Sequence, residues 1–75
     1  MTAYAKAGEL LSRARKILEN PPDVDAETLR FDIVMPLCAE LIEVADSLQL
    51  RYYPIEREMI FNRIGKLQKL AGLQE

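Results

Sequence analysis

Histidine and tryptophan are absent from this sequence, cysteine occurs once and glycine three times. Each scarcity removes a class of chemistry. Without histidine the chain lacks the commonest general base and the commonest metal ligand, so no Ser–His–Asp or Cys–His set can form. The lone Cys38 permits no intrachain disulfide and no zinc or iron–sulfur spacing. Gly8, Gly65 and Gly72 stand far apart, which leaves no glycine-rich phosphate loop. No segment approaches the roughly 20 apolar residues of a bilayer span. The opening MTAYAKAGELLSRARK spreads its charges through its length and does not fit a secretory signal. No catalytic residue, cofactor or metal site is expected, and the chain does not read as an enzyme.

What remains is helix. The 75 residues read as one domain, 1–75. So short a chain buries only about 60% of its unfolded surface, and needs regular packing or self-association to be stable. Ala3, Ala7, Leu10, Ala14 and Ile17 step by four and three, with Tyr4, Leu11 and Leu18 widening the stripe, and predict a first helix over 3–19. Asn20, able to take a left-handed conformation, and then Pro21 and Pro22 end it. Asp23 or Asp25 caps a second helix, 25–50. Its apolar arc, Val44, Leu37, Leu48, Leu41, Ala45, Cys38 and Ile42, is wider than one neighbouring helix requires. Leu29 and Ile33 project onto the polar side, so either the helix breaks near Met35-Pro36 or these two residues cover something else. Pro36 falls on the acidic, water-facing side, where a bend is tolerable; one kinked helix is the expectation. Pro54 starts a third helix, 54–71, with core positions Ile60, Ile64, Leu67, Leu70 and Ala71, and Gly72 past its end. Phe61 lies at the edge of that stripe, and Ile55, Met59 and Leu73 project away from it. Arg57 and Arg63, in or beside the apolar arc, must snorkel or pair with acids. Together these predict an all-α fold, an antiparallel three-helix bundle with a proline-kinked central helix.

Charge is unevenly placed. Residues 1–22 carry four bases against two acids, residues 23–50 seven acids against Arg30 alone, and residues 51–75 five bases against three acids. An acidic middle between basic flanks fits intramolecular pairing of neighbouring helices, each exposed pair contributing about 0–1 kcal/mol. It also fits two surfaces of opposite sign for a partner. Glu40, Glu43 and Asp46 could hold a divalent cation, but three acids on a solvent face are far more often just that.

Met35-Pro36, Ala39-Glu40, Leu50-Arg51 and Glu56-Arg57 faintly resemble the theta subunit of bacterial replicative polymerases, a small helical accessory protein. The pairs are common helix residues, the N-terminal third shows no match, and no function is carried over.

The expectation is a small cytoplasmic, non-enzymatic protein–protein interaction module (an adaptor, chaperone or inhibitor-like accessory protein) that forms a homodimer or binds a protein partner. Surplus apolar residues on the second and third helices support it. So does the Arg51-Tyr52-Tyr53-Pro54 corner, since Tyr and Arg are enriched at binding hot spots. The bland reading of that corner packs one tyrosine over the bundle end. Candidate partner-binding residues are Leu29, Ile33, Arg51, Tyr52, Tyr53, Arg57 and Met59. Met35, Met59 and Phe61 read as core or dimer interface rather than a ligand pocket. The alternative is a regulatory DNA-binding protein using the basic C-terminal helix, against which stands a pI of about 5.1. No membrane partner is expected, because the stripe on the first helix is rich in alanine and has no Trp or Phe anchor.

Overall fold

Two side-chain caps set where the first two helices begin. Thr2 Oγ1 accepts the Ala5 amide at 3.1 Å and opens helix α1, Ala3–Glu19. Asp25 Oδ1 accepts the Thr28 amide at 2.7 Å and opens helix α2, which occupies 26–47. Pro54 takes the first position of helix α3, Pro54–Leu70. The computed structural model describes residues 2–48 and 53–73, and over these the chain is an all-α three-helix bundle.

The helix ends correct several expectations. Asn20 is not left-handed: at φ −143° it is simply pushed out of helical geometry ahead of Pro21. Helix α2 stops at Ser47, not at residue 50. Ser47 Oγ donates back to the Glu43 carbonyl at 3.1 Å, and Leu48 turns to an extended φ/ψ that buries its side chain in the core. Helix α3 closes as expected around Gly72, whose φ of +72° only glycine adopts cheaply. The Leu73 amide donates to the Gln68 carbonyl and the Gly72 amide to the Lys69 carbonyl, a Schellman arrangement.

The irregular part of α2 lies upstream of its proline. Residues Leu29–Val34 form a π-helical stretch, and the Met35 amide reaches the Arg30 carbonyl five residues back. A proline ring at position 36 clashes with the carbonyl four residues earlier, and the wider π turn moves that carbonyl away. A wider turn also rotates the chain by less than 100° per residue, which changes the facing of everything before Met35. Leu29 and Ile33 therefore do not lie on the polar side. Both are half-buried, and Leu29 packs against the core.

That core is built from all three helices: Ala7, Leu10 and Ala14 from α1; Val34, Leu37, Cys38, Leu41, Val44 and Ala45 from α2; and Ile60, Ile64 and Leu67 from α3, closed by Leu48 and Ala71. Full burial of a Leu or Ile stabilises by about 1.5–3 kcal/mol. No polar or charged residue is buried among those described. Ile42, expected in the core arc, is instead 43% exposed, because the arc is filled by Leu41, Val44 and Ala45 beside it. The tyrosine of the first stripe, Tyr4, is also exposed.

Two arginines join α2 to α3 at opposite ends. Arg57, in the first turn of α3, donates from Nε to the Ala45 carbonyl at 3.3 Å, in the last turn of α2. Arg30, early in α2, donates from Nε to the Ala71 carbonyl at 2.8 Å, just past the end of α3. Each cation sits at the C-terminal end of a neighbouring helix, at the negative end of its dipole; the Ala45 carbonyl also accepts the Leu48 amide at 3.2 Å.

Candidate functional site

The candidate surfaces follow from which side chains the packing leaves outside. Along α3, Ile55, Glu58, Met59, Asn62, Arg63 and Lys66 recur at helical spacing and line a shallow groove of about 400 Å³. Met59 also borders a second groove with Tyr4, Ala7, Gly8, Leu11 and Glu56, so the strip continues onto α1. At that end of the bundle the rings of Tyr4 and Tyr53 lie 5.3 Å apart, tilted by 40°. Tyr53 is half-buried against the core, as the bland reading of the corner had one tyrosine do.

A second apolar surface lies along the seam between α2 and α3. Phe31, Met35 and Ile42 on α2 are exposed, as is Phe61 on α3. The Arg57 guanidinium lies 5.1 Å from the centre of the Phe61 ring, within cation–π range, and its Nη2 stands 3.9 Å from Asp46. A further groove, of about 540 Å³, is formed by Ile33 with Lys16, Ile17, Glu19, Asn20 and Pro22.

The candidate partner residues therefore do not make one site. Leu29 is engaged in internal packing, and Ile33 lies in the groove beside the end of α1. Tyr53 and Met59 belong to the opposite end of the bundle, on the side of α1. Arg57 points to α2 and is held by Ala45, Asp46 and Phe61. Arg51 and Tyr52 lie outside the described residues. Sequence reasoning passed over Phe31 and placed Ile42 in the core. The signal that could have found them is their recurrence with Met35 and Ala39 at steps of four, four and three.

The electrostatics contain little that is unusual. Glu40 pairs with Arg13 at 3.4 Å and Asp46 with Arg57, so the acidic helix is tied to both basic flanks at exposed or half-exposed contacts. No group of three or more metal-ligating side chains converges among the described residues. Burial pushes the Cys38 thiol above its ordinary pKa, which disfavours the reactive thiolate. Asp25 is held below the usual carboxylate range by the Thr28 backbone amide it caps. Among the described residues, no helix is long and apolar enough to cross a membrane.

No protein-family model, curated protein or solved structure matches this chain. The dipeptide likeness to theta subunits has no support beyond those residues, and nothing rests on it.

Proposed function

We propose that this protein is a small non-enzymatic interaction module that acts by binding protein, including its own copies. The supporting observation is the two groups of large apolar side chains left outside a fold that already has a filled core, Ile55 and Met59 on one side of α3 and Phe31, Met35, Ile42 and Phe61 on the other. Phe31, Met35, Ile42, Ile55, Met59 and Phe61 are all between 43% and 68% exposed on α2 and α3. Isolated exposed apolar residues are ordinary, but contiguous ones on so small a surface favour a partner. A cytoplasmic setting accords with one buried, reduced thiol. Light scattering of the purified protein across concentrations is the test. A mass that rises above the monomer supports self-association. A monomer at every concentration that also binds no protein through Ile55 and Met59 would sink the reading.

A second reading, regulatory DNA binding, is favoured by one observation. The outer strip of α3 carries Asn62, Arg63 and Lys66 in a groove facing solvent. A recognition helix needs such a face free of core duties. Titration against random duplex DNA at rising salt separates the two readings. Steeply salt-dependent binding would favour the second, and no binding at low salt removes it.

A further inference from the structure

We draw no further inference here: the strongest candidate, the exposed apolar patch of Phe31, Met35, Ile42 and Phe61 along the seam between α2 and α3, is an unpartnered face, and nothing in the structure shows what covers it.

Discussion

Arg30 and Ala71 are separated by 41 positions in sequence and joined by a 2.8 Å hydrogen bond from Nε to the carbonyl oxygen. The same guanidinium lies where a side chain on Gly72 would have to go, 3.2 Å from an added Cβ. One half-buried cation thus satisfies the orphan carbonyl at the end of α3, favours its dipole and occupies the space that glycine leaves open.

Removing that contact should cost more than an ordinary surface change. Arg30→Ala is expected to destabilise the fold by about 1–2 kcal/mol, read as a lower urea midpoint. Gly72→Ala should cost a similar amount, about 1–2 kcal/mol, because an L-residue is strained at positive φ. The two sites touch, so the double variant should lose less than the sum of the single losses. Strict additivity would show that Arg30 and Gly72 are not coupled.

Leu41 and Ile42 are adjacent in sequence and opposite in environment, 0% and 43% exposed. Leu41→Ala should lower stability by about 2–5 kcal/mol, enough to unfold much of so small a domain. Ile42→Ala should leave the unfolding of the isolated monomer within about 0.5 kcal/mol of wild type. Equal losses at the two positions would contradict this difference in burial.

Asp25 provides a predicted acid sensitivity. Its pKa is lowered in the folded state by the Thr28 amide, from an ordinary value of 3.8. A depressed carboxylate pKa contributes stability above the unfolded value, and that contribution is lost as pH falls through the folded one. Asp25→Asn keeps a capping oxygen but cannot titrate, so its stability should fall less than that of wild type below about pH 4. Parallel acid-unfolding curves would count against this cap as a titrating group.

Cys38 acts at the other end of the pH scale. Its thiol is raised above an ordinary value of 9.0 by burial, so its contribution is complete below that value and lost as pH climbs through the folded pKa. Wild type should therefore lose more stability than Cys38→Ala between neutral pH and pH 10. Modification by a thiol reagent at neutral pH should be slow and should accelerate with urea in step with unfolding. Rapid reaction of the native protein would place the thiol outside the core.

Much of the fold was legible in local chemistry. The stripe 3–19, the double proline after it, the Asp25 cap, Pro54 and Gly72 each act within a turn or two of chain, and the helices begin and end close to where those signals put them. Absent histidine and a single cysteine limit the chemistry whatever shape the chain takes. Most apolar positions of α1 and α3 followed from a constant 100° step, because both helices are regular throughout; Tyr4, which is exposed, and Leu70, which is only half-buried, are the exceptions.

Tertiary structure decided what a constant step could not. The π-helical turn at Leu29–Val34 relieves Pro36, and in doing so turns Leu29 toward the core and changes the facing of every residue before Met35. Ile42 lies outside because Leu41, Val44 and Ala45 already fill the space between α1 and α3, a matter of competition for volume rather than hydrophobicity. The two arginine contacts between α2 and α3 join residues 12 and 41 positions apart. They set the alignment of the two helices, and so which apolar and charged side chains share a surface. Composition announced the surplus of apolar residues; only packing determined where that surplus comes together.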